Sequence, residues 1–335
     1  MNKIFIFFFY LVSFQSVYGQ KELSHIVTPE MFGVKANDIS AARKNSECLQ
    51  EALNYAARHG KTLVSSAGNH YYISKGLEIN DFVDIDFGRA TIIATDTCEM
   101  FLVQSGKRRK WAGTIRNLQL DLNNIAKCGI YCENAIKLKI EDVGIVGIKM
   151  NSCGLTIMQG YEVFAENMHF EGGQNKATGI SVYTHDCHFQ DCVMIDCHTA
   201  VECWGSNFFE RIHAWIGNKG KYLEGSSFFK IRNAGPVFLH QCFSDTYEIA
   251  FNIMSKTELY ISQLKNYHNK LMWQKDTKLI HPELFHFSDE KIAKESFVVV
   301  ENSSLGGLVI DGVNRQKFSN VGQDVIKLQN SFLQK

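Results

Sequence analysis

Five side chains in the second half of the chain have types and spacings suited to chemistry on an acidic sugar polymer. They are Tyr183, Glu202, Trp204, Lys230 and Arg232, and each lies in a short segment of alternating apolar and polar residues. Aromatic rings offer flat apolar surfaces to sugar rings, and charged groups pair with carboxylates. We therefore predict that these residues form one patch that binds a uronate-containing polysaccharide.

Eliminative cleavage of such a polymer needs a base, a positive charge and an acid. The base removes the proton beside the carboxylate, the positive charge stabilises the resulting enolate, and the acid protonates the leaving oxygen. Lys230 or Arg232 could supply the base and the neutralising charge, and Tyr183 could supply the acid. We predict a polysaccharide lyase whose catalytic residues are these three together with Glu202.

The same face provides residues for substrate binding, and two other functions stay open. The binding residues are Trp204, Tyr131, Glu133 and Ser181. A glycoside hydrolase needs two carboxylates roughly 5 to 9.5 Å apart, but strand spacings put Glu133 about 14 Å from Glu202. The remaining alternative is a non-catalytic glycan-binding or structural protein, in which Glu202 pairs with Lys230 on a solvated face.

The elements that position these residues repeat along the chain. Six alternating segments start 21 to 28 residues apart, namely Gly129 to Glu133, Gly154 to Met158, Gly179 to Tyr183, Ala200 to Trp204, Phe228 to Arg232 and Ala250 to Met254. A second apolar piece follows each segment. Repeats of this length, with short strands and no helix, predict an all-β, single-stranded parallel β-helix in which each coil covers the previous one. An antiparallel sandwich is the alternative.

Alternation within these strands divides their side chains into an inward and an outward set. The inward set is Ile130, Leu155, Ile180, Val201, Phe229 and Phe251. One outward column reads Tyr131, Thr156, Ser181, Glu202, Lys230 and Asn252, and the other reads Glu133, Met158, Tyr183, Trp204, Arg232 and Met254. In the second pieces, Val143, Met168, Val193 and Ile212 share one register, and Ile145, Phe170, Ile195 and Ala214 share the next.

Composition and the first residues indicate the class and compartment of the protein. The chain has 335 residues, of which 45% are hydrophobic and 21% are charged, and this excludes general disorder. Lys and Arg together total 35, and Asp and Glu together also total 35, so the chain has no net charge that would attract nucleic acid or an anionic membrane.

The first residues of the chain predict where the protein acts. Lys3 and the apolar stretch after it predict a signal peptide over residues 1–19, with export to the periplasm or the extracellular space and no stable membrane insertion. No feature of the sequence fixes the oligomeric state.

Two clusters of ligand-type residues raise the question of a metal. The first is His185, Asp186, Cys187, His188, Asp191, Cys192, Asp196, Cys197 and His198, whose spacing matches no structural zinc pattern. Its cysteines can instead fill inward corners. The second is a predicted column of Glu141, Glu166, Asp191 and Glu210, which could hold calcium because like charges in register repel. The alternative for this column is a set of solvated turns without a metal. In an exported chain, the ten cysteines could either form disulfides or remain buried free thiols.

One amphipathic helix precedes the repeats. It is predicted over Asn45 to His59, with Gly60 ending it, and it would cap the open end of the solenoid. Its apolar face is Leu49, Ala52, Leu53 and Ala56. We predict one domain over residues 20–335, with the N-terminal segment and capping helix in 20–75, coils in 76–265, and the last coil and a C-terminal cap in 266–335. A longer loop from Gly217 to Ser227 would project beside the patch as a groove wall.

The N-terminal segment resembles that of the pectate-lyase-like superfamily. The resemblance rests on Phe32-Gly33-Val34-Lys35-Ala36-Asn37, on the helix around Leu49-Gln50-Glu51-Ala52-Leu53, and on Ala67-Gly68-Asn69-His70-Tyr71. Ser66 stands where that family usually has proline. The resemblance implies a right-handed β-helix, and the superfamily includes lyases, glycoside hydrolases, epimerases and phage spikes. In its lyases a lysine or arginine commonly serves as the base, often beside carboxylate-bound calcium.

Overall fold

Short parallel strands make up more than half of the residues that the structure describes. The computed structural model describes residues 25–108, 111–172, 176–217, 224–233, 235–267, 283–305, 326–329 and 332–333. Within these ranges the chain winds through about 8 turns of a right-handed parallel β-helix. The predicted fold class is therefore confirmed, and the antiparallel sandwich is wrong. The predicted signal peptide, residues 218–223 of the predicted groove wall, and the segment 268–282 lie outside the described residues.

One face of the solenoid is a nine-stranded sheet, which we call the front sheet. Its strands are Leu77–Ile79, Glu99–Val103, Cys128–Cys132, Cys153–Ile157, Thr178–Val182, Thr199–Trp204, Ser227–Asn233, Ile249–Ile253 and Glu283–Phe287. The six residues predicted to point inward pair with one another across adjacent strands, and all six are buried. The residues between them therefore face outward as one surface.

The other two faces belong to one 20-stranded sheet that bends at a corner. What we call the second face comprises Phe164–Glu166, Cys187–Gln190, Asn207–Glu210, Pro236–His240, Glu258–Ser262, Phe297–Glu301 and Ile326–Gln329. The third face comprises His169–Gly172, Val193–Ile195, His213–Trp215, Phe243–Asp245, Lys265–Tyr267, Ser304–Leu305 and Phe332–Leu333.

Longer strands complete this sheet toward its N-terminal end. Val83–Ala94, Gly113–Asp121 and Leu138–Ile148 run through the corner and serve both faces, and Ile26–Val27, Thr62–Val64 and His70–Ile73 lie before them. A separate pair is formed by Ala135–Ile136 and Gly160–Tyr161. The strands that cross the corner tie the second and third faces together in register.

A column of residues with left-handed backbone forms the corner between the second and third faces. Asp142, Asn167, Asp191, Arg211 and Gln241 have φ of 52° or 53°. The N–H groups of Asn167, Asp191 and Arg211 each donate to a carbonyl of the next coil over 2.9–3.1 Å. Asn and Asp enter this backbone region more readily than most residues with a Cβ. The repeated hydrogen bonds therefore fix the position of the corner in every coil.

The third face is shifted by one residue relative to the sequence prediction. His169 pairs with Val193 and Phe170 pairs with Met194. Cys192 and Met194 are the buried residues, so the predicted registers of Val193 with Met168 and of Ile195 with Phe170 are wrong. The coil that reaches Asp191 is one residue shorter than the coil before it, and this difference causes the shift. The shift was hard to predict because β-branched residues on the outer surface of the coil look like core residues in the sequence.

The N-terminal helix confirms the predicted cap. It spans Ala42–His59 and packs against the first strands of the sheet, and Gly60 ends it in the left-handed conformation with φ of 59°. The four predicted apolar residues are all buried. The other helices in the described ranges are the 3₁₀ turns Pro29–Phe32, Ile39–Ala41 and Ser105–Arg108 and the short α-helix Glu290–Glu295. Within the described residues, no helix combines the length and the apolarity that crossing a bilayer requires.

The helix begins three residues before the predicted Asn45. The side chain of Asp38 accepts a hydrogen bond from the Ser40 N–H at 3.0 Å and caps a 3₁₀ turn that runs directly into the helix. Asn45 is buried instead of capping. Its side chain exchanges two hydrogen bonds with the backbone of Lys35, at 2.8 and 2.9 Å, and so ties the helix to the preceding loop.

The interior of the solenoid is apolar and contains thiols. All ten cysteines are free, and nine of them are buried. Rings fill much of the remaining space: Phe189 stacks on Phe209 at 4.9 Å, and Phe209 meets the edge of Phe229 at 5.0 Å. Of the two alternatives that the sequence left open for the cysteines, the structure has free thiols, which pack between coils as small apolar groups.

We expect the folded protein to lose stability as the pH rises above about 9. Burial raises the pKa of nine of the ten thiols above the usual 9.0, to about 12 for Cys187, Cys192 and Cys242. The contribution of these thiols to stability is complete below the pKa that they have in the unfolded chain. It is lost as the pH rises from that value toward their pKa in the folded protein, because in this pH range only the thiols of the unfolded chain ionise. The loss should be on the order of 1 kcal/mol per thiol at pH 10.

Urea unfolding at pH 7 and pH 10 measures this loss. The variant Cys192→Val removes one buried thiol with little change in volume, so the pH dependence should become weaker by the contribution of one thiol. Equal free energies of unfolding at the two pH values would contradict the prediction.

Candidate functional site

The outward residues of the front sheet form a column in register. Lys230 lies between Glu202 on one neighbouring strand and Asn252 on the other, and the column continues to Ser181 and His286. This register matches the sequence prediction because the front strands alternate regularly. Lys230 therefore has a carboxylate and an amide one strand spacing away on either side.

A β-bulge interrupts the second outward column. The strands pair regularly up to Cys203, but Trp204 then pairs with Asn233. The predicted alignment of Trp204 with Arg232 is wrong, because the bulge inserts one residue at this point. Arg232 turns toward the first column, where its Nε donates to Oε1 of Glu202 at 2.5 Å.

Arg232, and not Lys230, neutralises Glu202. The Glu202 side chain is 14% exposed and that of Arg232 is 36% exposed, so the pair is partly shielded from water. The predicted ion pair between Glu202 and Lys230 is therefore wrong. In the part of the chain that the structure describes, Lys230 has no ion-pair partner within 4.0 Å. Its ammonium is available to an anionic ligand.

Lys230 borders an open cavity of about 410 Å³ on the front sheet. Its walls include Ser181, Tyr183, His198, Glu202, Lys230 and Asn252. Gly225, near the end of the predicted groove wall, also borders it. The size is within the range of small-ligand sites, roughly 300 to 1,000 Å³, and the walls are rich in hydroxyl, amide and charged groups. Such a surface suits a hydroxylated, acidic ligand.

Tyr183 supplies a protonated hydroxyl to the cavity. Burial raises the pKa of its phenol, and the charge of Glu202 raises it further. At neutral pH the phenol is therefore a hydrogen-bond donor. Its ring lies 5.4 Å from the ring of Trp204 at an angle of 51°. The Trp204 Nε1 is buried and has no hydrogen-bond partner among the described residues.

His198 is a residue of the cavity that the sequence analysis assigned only to the cysteine-rich cluster. Its Nε2 lies 2.9 Å from the carbonyl oxygen of Glu224. Because that oxygen can only accept, Nε2 carries the proton and Nδ1 keeps its lone pair. Burial lowers the pKa of His198, and the charges of Lys176 and Lys230 lower it further. A neutral imidazole is a candidate base, and its place just before a front strand is the sequence signal that could have identified it.

The other predicted binding residues lie at different distances from the cavity. Ser181 is buried and borders it, 3.5 Å from the Cys153 thiol. Tyr131 lies on an earlier strand and Glu133 directly follows that strand, and neither lines the cavity. Glu133 pairs with Lys107 at 2.5 Å, and this contact holds the pKa of its carboxyl below the usual value. Four of the eight predicted site residues therefore meet in one cavity, namely Tyr183, Ser181, Glu202 and Lys230. Two more contact members of this group, since Arg232 pairs with Glu202 and the ring of Trp204 lies beside that of Tyr183.

The cysteine-rich cluster is distributed around one coil. Cys187, Cys192 and Cys197 are buried at three places along the turn, whereas the His188 ring lies on the outside of the second face. Within the described ranges, no group of three or more His, Cys, Asp or Glu side chains is arranged to hold a metal ion. Their burial agrees with the alternative prediction, in which these cysteines fill inward-facing corners of the coil.

The predicted calcium column has a different composition, and its carboxylates share two cations. In register it reads Glu141, Glu166, Gln190 and Glu210. Lys139 lies 3.0 Å from Glu141 and 3.7 Å from Glu166. Arg211 contacts Glu210 and also Asp191, which occupies the adjacent corner. The predicted stack of four carboxylates is therefore wrong at Asp191, and Lys139 and Arg211 supply part of the positive charge that calcium could have provided.

Solved structures share this fold at low sequence identity. A tailspike of an Acinetobacter phage aligns with a TM-score of 0.53 and 11% identity, over 92% of this chain and 62% of its own. A tailspike of an Acinetobacter baumannii bacteriophage, a capsular polysaccharide depolymerase, aligns with a TM-score of 0.51 and 12% identity, over 93% and 64%. A tailspike double mutant of an E. coli bacteriophage aligns with a TM-score of 0.52 and 8% identity, over 94% and 68%.

These likenesses establish the β-helix fold. The chain spans slightly less than two thirds of the length of the two Acinetobacter phage tailspikes. Neither a protein-family model nor a curated protein sequence matches it.

Proposed function

We propose that the protein is a carbohydrate-active member of the pectate-lyase-like superfamily that cleaves an acidic, uronate-containing polysaccharide by β-elimination. The observation that carries this proposal is Lys230, a cation without an ion-pair partner in the described residues, at the edge of the front-sheet cavity. A tailspike with this fold is a capsular polysaccharide depolymerase, which supports a polysaccharide as the substrate.

Three side chains divide the reaction. Lys230 binds the uronate carboxylate and stabilises the negative charge that develops on it. Nδ1 of His198 removes the proton from the carbon beside that carboxylate. The released electron pair forms a carbon–carbon double bond as the bond from the next carbon to the glycosidic oxygen breaks, and Tyr183 protonates that oxygen. The products are an unsaturated uronate end and a new reducing end.

Arg232 and Glu202 have a positioning role in this scheme. Because Arg232 is engaged by Glu202, it is less suited to act as the base than the sequence alone indicates. The pair fixes the wall beside Lys230, and the charge of Glu202 favours the protonated form of Tyr183. The cavity therefore brings together the Lys230 ammonium, a neutral imidazole and a protonated phenol.

Glycoside hydrolysis is a second candidate, and one observation favours it. Glu141 and Glu166 occupy neighbouring strands of the second face and share Lys139. A strand spacing of about 4.8 Å puts their carboxyl groups near the short end of the separation, roughly 5 to 9.5 Å, that glycosidases use. Lys139 would have to release one of them for general acid catalysis.

Product analysis tests the proposal. The protein is incubated with polygalacturonate, alginate and hyaluronate, and ultraviolet absorbance and reducing ends are followed together. Elimination predicts that both signals rise in equal amounts for at least one polymer. Reducing ends without absorbance would contradict elimination and support hydrolysis, and binding without either signal would support a non-catalytic glycan-binding protein.

We further propose that the protein acts outside the cytoplasm. The basic and apolar start of the chain supports removal of residues 1–19 during export to the periplasm or the extracellular space. Acidic polysaccharide would be its partner there. N-terminal sequencing of the secreted protein should find Gln20 as the first residue, and retention of Met1 would contradict cleavage.

A further inference from the structure

Aromatic side chains form a ladder along the outside of the second face. Phe164, His188, Phe208, Phe238 and Tyr260 occupy the same register position on successive coils. Adjacent ring centroids are 4.6–5.3 Å apart, and adjacent planes lie within 15° of each other. Phe164 is 43% exposed and Phe208 is 38% exposed. The ladder is therefore an apolar stripe that runs parallel to the solenoid axis, away from the front sheet.

The rings present their edges to a ligand. Because neighbouring rings stack nearly parallel, they cover one another's faces. The edge of an aromatic ring carries a partial positive charge and its face a partial negative charge. A ligand on the ladder therefore meets apolar C–H groups that attract ether and hydroxyl oxygens.

A polar column runs beside the ladder, two residues further along each strand. It reads Gln190, Glu210, His240, Ser262 and Glu301. Between this column and the ladder lies a cavity of about 450 Å³, which we call the ladder groove. The groove has an aromatic wall on one side and a row of hydrogen-bonding groups on the other.

The charge of the ladder groove is opposite to that of the front-sheet cavity. Glu301 forms no ion pair with the described residues, and Glu210 shares Arg211 with Asp191, so both leave negative charge along the groove. Among the side chains that the structure describes, no lysine or arginine lines the groove. Carboxylates accept hydrogen bonds from hydroxyl groups strongly but repel other carboxylates. An acidic polymer is therefore disfavoured here.

We propose that the ladder groove binds a neutral polysaccharide chain that lies along the solenoid axis. The apolar C–H groups of the sugar rings contact the aromatic edges, and the hydroxyl groups donate to Glu210 and Glu301 and exchange hydrogen bonds with Gln190 and Ser262. An extended chain fits, because the ladder is straight and its chemistry repeats with every coil. This second site is separate from the front-sheet cavity and does not require the eliminative activity.

Affinity electrophoresis of the full chain tests the proposal with two polymers that share one backbone. Hydroxyethylcellulose is neutral and extended, whereas carboxymethylcellulose carries carboxylates. We expect hydroxyethylcellulose to retard the protein, and Phe208→Ser to weaken that binding about tenfold or more, as loss of a central aromatic contact does in other interfaces. Lys230→Ala should leave the retardation unchanged.

Two further variants separate binding from folding and test the role of charge. Ser262→Tyr fills the groove without removing a ladder ring, and it should also abolish retardation. Glu301→Gln should strengthen binding to carboxymethylcellulose several-fold. The proposal is overturned if hydroxyethylcellulose does not retard the protein, if Ser262→Tyr binds it as well as the unmodified chain, or if binding depends on Lys230.

Discussion

Replacing Lys230 with alanine should reduce the initial rate of uronate-polymer cleavage by roughly 10²- to 10³-fold, the cost of removing one group that stabilises the charge of a transition state. Lys230 is the cation in the front-sheet cavity that lacks an ion-pair partner among the described residues, because Glu202 is already bound by Arg232. Without the ammonium, the carboxylate of the substrate loses the positive charge of Lys230 as the enolate forms. Ultraviolet absorbance of the unsaturated product measures the rate.

Two other variants show whether the front sheet is the correct face. Lys265→Ala removes an exposed lysine from the third face, where its Nζ lies 4.9 Å from the centroid of the Phe243 ring, and it should leave the rate unchanged. His198→Gln should lower the rate but preserve polymer binding, because it removes the proposed base and leaves Lys230 in place. An unchanged rate in Lys230→Ala would show that catalysis occurs elsewhere on the molecule.

The Phe229→Ala substitution should lower the free energy of unfolding by about 3 to 5 kcal/mol, the usual cost of truncating a fully buried phenylalanine. Phe229 is completely buried inside the front sheet. Its ring packs edge-to-face with Phe209 at 5.0 Å and with Phe228 at 4.8 Å, and it stacks on Phe251 at 5.9 Å. Removing it opens a cavity that links three coils, and urea unfolding followed by circular dichroism measures the loss.

Phe208→Ser is the matched control for this substitution. Phe208 lies one coil away in sequence order, but its ring is on the outer surface. Because truncating an exposed ring leaves no internal cavity, its cost should be well below that of Phe229→Ala. Equal losses for the two variants would contradict the division into inward and outward columns. The same measurement establishes that Phe208→Ser is folded for the polymer-binding experiment.

Much of the fold could be predicted because its elements obey local rules. The helix pattern of apolar residues and the terminating Gly60 need no tertiary information. The six inward residues of the front sheet could be aligned from alternation alone, since a parallel β-helix repeats the same local environment in every coil. Placing Lys230 beside Glu202 required only that register.

The bulge and the corner shift could not be predicted, because each depends on a single inserted or missing residue. Nothing in the local sequence shows that Trp204 aligns with Asn233, or that Asp191 occupies the corner while Gln190 joins the column of glutamates. A difference of one residue changes which side chains share a face. Both events are decided by hydrogen bonds between coils.

The amino-acid sequence by itself determined the β-helix, its capping helix, its inward residues and the position of Lys230 on the front sheet. Only the tertiary structure decided which charges neutralise one another, and therefore which remain available to a ligand. Arg232 is paired with Glu202, and Lys139 and Arg211 neutralise carboxylates of the second face, as a result of side-chain geometry. The aromatic ladder likewise arises from register between coils, because its members are 20 to 30 residues apart in the chain and contact one another only after the solenoid winds.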